Sequence, residues 1–246
     1  GYWSRGLGDV YKRQAQEAFM EAFHVIATHP QILAGTGDCN SQYDVFGNFS
    51  RAITPNGTPS PHLQWDPTEQ EIFDAITDKR LDEEPMATIP EGMTARAFAA
   101  QVARERLRSA VPDVDTYCDA EINDSMYFTL FPNFHPWGAF NRINYRFRPV
   151  GTKVDECLME CIYTEDFEGD ERPAPAEYIE LGIDQDWTEL IPVIGNLARV
   201  FHQDSFNLPK VQKGLETFRA DGLTLTKYQE VKIRHWHAMA ERFIAN

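Results

Sequence analysis

Polar and apolar residues alternate with a two-residue period through the middle of the chain, which is the pattern of half-buried β-strands. In the clearest segment, Ile143, Tyr145 and Phe147 alternate with arginine and asparagine. One face of this strand should be buried and the other solvated, as in antiparallel sheets. Four strands are predicted, at residues 40–54, 124–131, 140–148 and 155–164.

Helical periodicity occupies both ends of the chain and two stretches between the strands. Pro67 in a first turn and Thr94 as an N-cap mark two helix starts. The predicted helices cover residues 15–28, 67–80, 94–109, 186–200 and 228–244. One face of the last helix should carry Tyr228, Val231, His235, Met239 and Phe243. Proline-rich loops should fill residues 55–66 and 165–177.

These elements predict an α+β fold, with a central antiparallel sheet and helices segregated to one side. The chain has 246 residues, of which 42% are hydrophobic, and this is enough for one substantial core.

The formal net charge of −15 limits the classes of partner that the chain is expected to bind. Such an acidic surface argues against nucleic acid and anionic membranes as partners. No apolar run is long enough to span a bilayer, and the start lacks the charged and apolar regions of a secretion signal. A cytoplasmic location is therefore expected.

The segment from Glu17 to Pro30 carries the strongest chemical signal. On a helix, Glu17, Glu21 and His24 share one face. Pro30 disfavours the helical conformation at His29, which frees this histidine to turn back toward His24. Two imidazoles beside carboxylates suit iron or zinc. Histidines near helix ends also serve as ordinary core or surface groups, so spacing alone leaves both interpretations open.

An acidic residue three positions before a histidine, with a second histidine five positions later, resembles the iron-binding motif of the Rieske non-haem iron oxygenases. In that family the motif belongs to the catalytic domain of the alpha subunit of aromatic-ring-hydroxylating enzymes. Further segments resemble the same domain in the same order: residues 41–51, 54–62, 127–133 and 145–151, then Asp204 with Gln212 eight positions later. The resemblance covers the chain from about residue 15 to the C-terminus.

The resemblance implies a helix-grip fold, in which a curved antiparallel sheet wraps around a C-terminal helix and leaves an apolar cavity. It also implies that His24, His29 and Asp204 hold a mononuclear Fe(II), with His202 as a rival for the third position. Glu21 matches the acidic residue that links the iron to the Rieske centre of a neighbouring subunit.

The resemblance further assigns four residues to the substrate cavity: Val25, Phe201, Met126 and Phe128. Ordinary core packing competes with this role, and it is the favoured interpretation for Met126 and Phe128. The implied reaction inserts oxygen from O2 into an aromatic or other hydrophobic small molecule.

The resembled family carries a Rieske domain with a [2Fe–2S] cluster ahead of its catalytic domain. This chain has no paired Cys-x-His and Cys-x-x-His motifs, and its four cysteines are expected to be reduced core residues. Residues 1–14 do not fit the family and are expected to be non-native, so the catalytic domain would span residues 15–246. Electrons would come from a reductase or ferredoxin through the missing domain, within a homotrimer or larger ring.

Two other functions fit parts of the sequence. A non-catalytic helix-grip carrier of a hydrophobic ligand would share the fold, but a carrier has no reason to bring two histidines and Asp204 together. A zinc hydrolase could use Glu21 as a base, yet the spacing here differs from the His-Glu-x-x-His motif of such enzymes. The sequence favours the oxygenase, then the carrier, then the hydrolase.

Overall fold

A β-sheet of eight strands runs through the described part of the chain in a computed structural model. The structure describes residues 2–8, 12–138, 140–153, 156–164, 170–171, 174–175, 177–182, 184–190, 194–220 and 222–245. For residues 2–8, 12, 13 and 190 it describes the backbone alone.

The sheet is antiparallel except at one edge. Its strands are β1 (Tyr2–Gly8), β2 (Gln42–Phe46), β3 (Phe49–Thr54), β4 (Ser125–Leu130), β5 (Phe134–Pro136), β6 (Ile143–Pro149), β7 (Cys157–Tyr163) and β8 (Tyr178–Gly182). Their order is β2-β3-β4-β5-β6-β7-β1-β8, and only the β1–β8 pair is parallel. The mixed architecture of helices and an antiparallel sheet is confirmed. Strand β1 lies in the segment that the sequence predicted to be non-native.

Eight α-helices accompany the sheet in the described residues. They are α1 (Lys12–Ala18), α2 (Val25–Thr28), α3 (Glu69–Ile76), α4 (Ala95–Leu107), α5 (Asp119–Asn123), α6 (Trp187–Leu190), α7 (Leu197–Glu216) and α8 (Val231–Ile244). Thr94 caps α4 as predicted, since its side chain accepts a hydrogen bond from the Ala97 N–H at 3.2 Å. Segment 55–66 is loop, as predicted, and most of the predicted loop 165–177 lies outside the described residues.

Strand β6 contributes three residues to the largest cluster of the hydrophobic core. Ile143, Tyr145 and Phe147 are all buried, which confirms the predicted alternation. Phe201 of α7 packs on Tyr145 with ring centroids 5.4 Å apart. Full burial of a phenylalanine side chain is worth about 1.5–3 kcal/mol, so this contact helps to fix α7 on the sheet.

Segment 40–54 is a hairpin, whereas the sequence predicted one strand. Strands β2 and β3 pair Phe46 with Phe49, so Gly47 and Asn48 form a two-residue turn. Gly47 has a φ of +34°, a conformation that glycine adopts without a Cβ clash. The Gly-Asn pair is a hairpin signal that the sequence did offer.

Two predicted helices are interrupted. The predicted helix 186–200 consists of α6 and the start of α7, with Gly195 at a φ of +58° shortly before α7 begins. Glycine permits this conformation and allows the chain to enter α7 in a new direction. Helix α7 then continues to Glu216. The predicted helix 15–28 is divided into α1 and α2.

The predicted apolar face of the last helix is wrong at its two ends, whereas Met239 is buried and Val231 and His235 are partly buried. Tyr228 and Phe243 are 52% and 57% exposed, while α8 buries Lys232, Ile233 and Met239. The Lys232 ammonium donates to the Tyr127 carbonyl at 3.2 Å. Burial lowers the pKa of Lys232 to about 7, although the charge of Glu21 acts in the opposite direction. A pattern of apolar residues cannot reveal a buried lysine, because lysine is almost always exposed.

Candidate metal centre

The Glu21 side chain accounts for the break between α1 and α2. One carboxylate oxygen accepts hydrogen bonds from the backbone N–H groups of Phe23 and His24, the latter at 3.0 Å. The Ala22 N–H donates to the Tyr43 hydroxyl at 3.0 Å. Such bonds to side chains compete with the hydrogen bonds of a helix. The chain therefore leaves the helical path after α1 and resumes it at α2.

This break separates Glu17 from the histidines. The Glu17 carboxylate meets His237 of α8 at 2.8 Å. The prediction that Glu17, Glu21 and His24 share one helix face is therefore wrong, because no continuous helix joins them. Glu21 and His24 are nevertheless in direct contact.

His24 is held by one ring nitrogen and directs the other into the site. Its Nδ1 lies 2.6 Å from Glu21 Oε1, and its Nε2 lies 3.7 Å from Asp204 Oδ1. Burial by itself lowers the pKa of His24, but the hydrogen bond and charge of Glu21, with the charge of Asp204, raise it to about 9. The surroundings of this imidazole thus favour a positive charge.

His29 is fully buried, and its two ring nitrogens are arranged like those of His24. Its backbone leaves the helical region just before Pro30, as predicted. Its Nδ1 lies 2.8 Å from Gln203 Oε1, and its Nε2 lies 3.0 Å from Asp204 Oδ1. The Gln31 amide also donates to Gln203 Oε1 at 2.7 Å, which fixes that oxygen as the acceptor facing His29.

The buried Asp204 carboxylate joins the two histidines from within α7. The ligand atoms of His24, His29 and Asp204 all lie within 4.8 Å of one another. Because each Nδ1 has its own acceptor, each Nε2 is left to face the same carboxylate oxygen. A metal ion bound here would take the place of the Nε2 protons. Two neutral imidazoles and one carboxylate are the donor set of non-haem Fe(II) sites. Acceptors behind the rings orient metal-binding histidines in the same way.

The rival histidine does not join this group. His202 directs its Nδ1 toward Asp186, with 3.8 Å between Nδ1 and Oδ1. Residues two positions apart lie on nearly opposite sides of a helix, so His202 and Asp204 cannot both face α2.

A cavity of about 600 Å³ adjoins the three residues. Val25 and Phe201, two of the predicted substrate-binding residues, line it. Both are also buried parts of the hydrophobic core. The site therefore has apolar walls next to its polar centre.

The structure does not place Met126 and Phe128 at this cavity. Ser125 and Tyr127 of the same strand line it instead. Tyr127 and Thr129 are the buried positions of β4, and the Thr129 hydroxyl contacts His135 Nδ1 at 3.2 Å. The resemblance assigned Met126 and Phe128 to the cavity, but these two residues alternate with the buried positions of β4. The buried side chains carry hydroxyl groups, so they give no strong hydrophobic signal in the sequence.

Sequence reasoning missed several residues that build the site. Gln203 gave a weak signal through its place beside Asp204, whereas Trp137 and Tyr145, which line the cavity, gave none beyond their aromatic character. Their roles depend on which residues surround them, and this information exists only in the fold.

A second group of potential ligands contains Asp38, Cys39 and His62. Asp38 is buried, and it accepts a hydrogen bond from the Ser60 hydroxyl at 2.6 Å. Its other oxygen lies 3.2 Å from His62 Nδ1. This network satisfies the buried carboxylate without a metal ion, so the site formed by His24, His29 and Asp204 is the stronger candidate.

Comparison with known proteins identifies the class of protein. Residues 14–246 match the family model described as "Ring hydroxylating alpha subunit (catalytic domain)". The chain therefore belongs to the family of ring-hydroxylating alpha subunits, within their catalytic domain.

The solved structures add a likeness of fold. The chain resembles the crystal structure of the quaternary ammonium Rieske monooxygenase CntA in complex with an inhibitor, at 12% sequence identity and a TM-score of 0.50. The match covers 98% of this chain and 48% of that one, so the chain spans about half the length of that structure. Comparison with curated proteins finds no match. Among the described residues, no helix is both long enough and apolar enough to cross a bilayer.

Proposed function

We propose that the chain is the catalytic domain of a Rieske-type oxygenase, with a mononuclear Fe(II) bound by His24, His29 and Asp204. The supporting observation is that both Nε2 atoms converge on Asp204 Oδ1 while separate acceptors hold the two Nδ1 atoms. These three residues would hold the Fe(II), and the metal would supply the activation of O2 for insertion into the substrate.

The residues around this centre orient the ligands and control access. Glu21 and Gln203 hold the imidazole rings, so the ligands need little reorganisation on binding iron. Val25 and Phe201 keep the neighbouring cavity apolar. An aromatic or other hydrophobic small molecule fits such a pocket.

Glu21 also connects His24 to the molecular surface. Its carboxylate accepts from the N–H of Phe23, a residue that is 44% exposed. This position supports the role of an acidic link between His24 and the [2Fe–2S] centre of a neighbouring subunit. The proposal includes a Rieske domain beyond this sequence, a reductase or ferredoxin as electron donor, a homotrimer or larger ring, and a cytoplasmic location.

The helix-grip arrangement belongs to the same proposal. Helix α8 packs against β2 and β3, and Tyr228, just before α8, accepts a hydrogen bond from the Tyr43 N–H at 3.3 Å. A C-terminal helix held at the sheet is the defining contact of that fold. A carrier function would use the same fold without a metal ion.

Anaerobic loading with Fe(II) tests the metal centre. The wild type should bind one iron per chain, and Asp204→Asn should lower the affinity at least 100-fold, because the amide removes a charged ligand. Asp186→Asn is the matched control on an aspartate that contacts Thr188 and His202 instead. Equal iron affinity in wild type and Asp204→Asn would overturn the assignment and favour the carrier.

A further inference from the structure

Two hydrogen-bond donors lie buried beside the cavity without a partner among the described residues. The Tyr145 hydroxyl and the Trp137 indole nitrogen are both inaccessible to solvent, and neither makes a hydrogen bond. Both residues line the cavity that adjoins His24, His29 and Asp204. Buried polar groups in folded proteins nearly always have a partner, so two orphaned donors in one cavity require an explanation.

These two groups do not satisfy each other in the structure. An indole N–H can only donate, so Trp137 can never accept the proton of Tyr145, and that proton needs another acceptor. Trp137 lies near enough to favour the phenolate form of Tyr145, but the two groups do not meet in hydrogen-bond geometry. Burial, with the charges of Cys161 and Asp204, raises the pKa of Tyr145 well above its ordinary value. Tyr145 therefore remains a neutral phenol and keeps a proton to donate.

Both donors are held in place by their aromatic neighbours. The Tyr145 ring packs on Phe19 and Phe201, with centroid distances of 4.8 and 5.4 Å. Trp137 packs edge-on against Tyr145 at 6.0 Å and lies 5.7 Å from the Tyr127 ring. A small movement of these rings is needed before a bound acceptor can reach the donors, because the two donor atoms have no exposed surface in the ligand-free protein.

Tyr145 packs against the helix that carries the candidate ligand Asp204. Phe201, which packs on Tyr145, is three residues before Asp204 on α7 and so lies on the same side of that helix. Tyr145 lines the same cavity as His24, His29 and Asp204. An atom bound by Tyr145 therefore shares that cavity with the three ligands.

We propose that Tyr145 and Trp137 form a polar subsite that binds an acceptor oxygen of the substrate. The substrate class is then a hydrophobic ring compound that carries a carbonyl group, rather than a plain hydrocarbon. This inference rests on the proposed function only in that the cavity is the substrate site. The carbonyl satisfies the two donors, and the apolar walls enclose the ring.

Equilibrium binding of a matched ligand pair tests the subsite without turnover. The probes are 1-indanone and indane, which share a ring skeleton and differ in the carbonyl. The wild type should prefer the ketone. Tyr145→Phe should weaken ketone binding by about tenfold, the size of one hydrogen bond, and leave indane binding unchanged. Trp137→Phe should weaken ketone binding several-fold.

Tyr117→Phe is the matched control, because Tyr117 is a partly buried tyrosine that does not line the cavity. Equal weakening of both probes by Tyr145→Phe, or no ketone preference in the wild type, would overturn the proposal. The thermal stability of ligand-free Tyr145→Phe gives a second check. It should equal or exceed that of the wild type, and a clear loss would mean that the hydroxyl already has a partner in the free protein.

Iron content is measured on the same samples. A ketone preference that disappears in Tyr145→Phe, in protein that binds no iron, would sink the oxygenase proposal and leave the subsite standing. Normal iron binding without a ketone preference would overturn the subsite and leave the oxygenase proposal standing.

Discussion

At the scale of single residues, Glu21 determines both the backbone path and the electrostatics of the site. Its carboxylate holds the N–H groups that open the α1–α2 break, and it contacts His24 Nδ1 at 2.6 Å. These contacts also raise the pKa of His24. Glutamine keeps an acceptor oxygen for these N–H groups but carries no charge. Glu21→Gln should therefore change the proton affinity of His24 more than it changes the fold.

We expect Glu21→Gln to lower the pKa of His24 in metal-free protein from about 9 toward its ordinary value, because glutamine carries no charge. His24 has a raised folded-state pKa, so its protonation stabilises the fold fully below pH 6.5 and this stabilisation disappears as the pH rises through about 9. The difference in melting temperature between wild type and Glu21→Gln should be widest near pH 6 and vanish above pH 9. NMR titration of His24 and thermal melts measure the two effects.

Glu21 has two proposed roles, as a support for the ligand His24 and as an electron link. Measuring both iron binding and turnover in Glu21→Gln separates them. The variant should lose at most about 10–100-fold in iron affinity, as substitutions behind a ligand usually do. Turnover in a longer chain that includes a Rieske domain should fall further, if Glu21 carries the electron link. Loss of iron in proportion to activity would show that Glu21 serves only the ligand, and unchanged values of both would make it a simple surface carboxylate.

The identity of the candidate ligands was the part of the site that could best be predicted from the sequence. The sequence singled out His24, His29 and Asp204, and the structure brings these side chains together. The spacing of the two histidines alone left a ligand role and a structural role both open, and the resemblance to the Rieske oxygenases assigned all three residues to iron. The side of a strand that faces a cavity is harder to predict. Tyr127 faces inward through polar contacts, whereas the resemblance assigned Met126 and Phe128 to the cavity.

At the scale of elements, one failure occurred where a distant residue helps to decide the local backbone. The α1–α2 break depends partly on the Tyr43 hydroxyl, which accepts a hydrogen bond from the Ala22 N–H 21 residues away. Local propensity favours a helix through this segment, and tertiary contacts override it. The missed hairpin at Gly47 and the interruption near Gly195 had local signals instead. The Thr94 cap also depends on a local signal, and that prediction is confirmed.

Strand β1 allows a test of the expectation that residues 1–14 are non-native. The family match begins at residue 14, whereas β1 pairs with β7 on one side and with β8 on the other. Because β1 is antiparallel to β7 and parallel to β8, these two strands are antiparallel to each other. They have the correct relative direction to pair directly once β1 is absent.

We therefore expect deletion of residues 1–11 to leave the free energy of unfolding nearly unchanged, with β8 closing onto β7. Denaturant unfolding measures the free energy, and hydrogen exchange of the β7 and β8 amides shows whether they pair. A loss of several kcal/mol, the scale of a lost core contact, would contradict this expectation and show that β1 belongs to the domain.

At the scale of the whole molecule, the α+β class followed from strand and helix periods, but the connection between distant parts did not. The contact between His29 and Asp204 joins residues 175 positions apart. It links the short helix α2 with α7, and α7 is packed on the sheet through Phe201 and Tyr145. A metal ion at this point would therefore tie the N-terminal segment to the C-terminal half of the fold.

We expect metal binding to stabilise the entire domain, because the ligands meet only in the folded state. A ligand at 100 times its dissociation constant adds about 2.7 kcal/mol to the free energy of unfolding. For a domain of this size that corresponds to a rise of about 5–11 °C in melting temperature. Hydrogen exchange should slow in both α2 and the middle of α7 on adding anaerobic Fe(II). Asp204→Asn should abolish both effects, and Asp186→Asn should keep them. Protection confined to one of the two helices would mean that the metal does not bridge them, because one ion held by His24, His29 and Asp204 must restrain both at once.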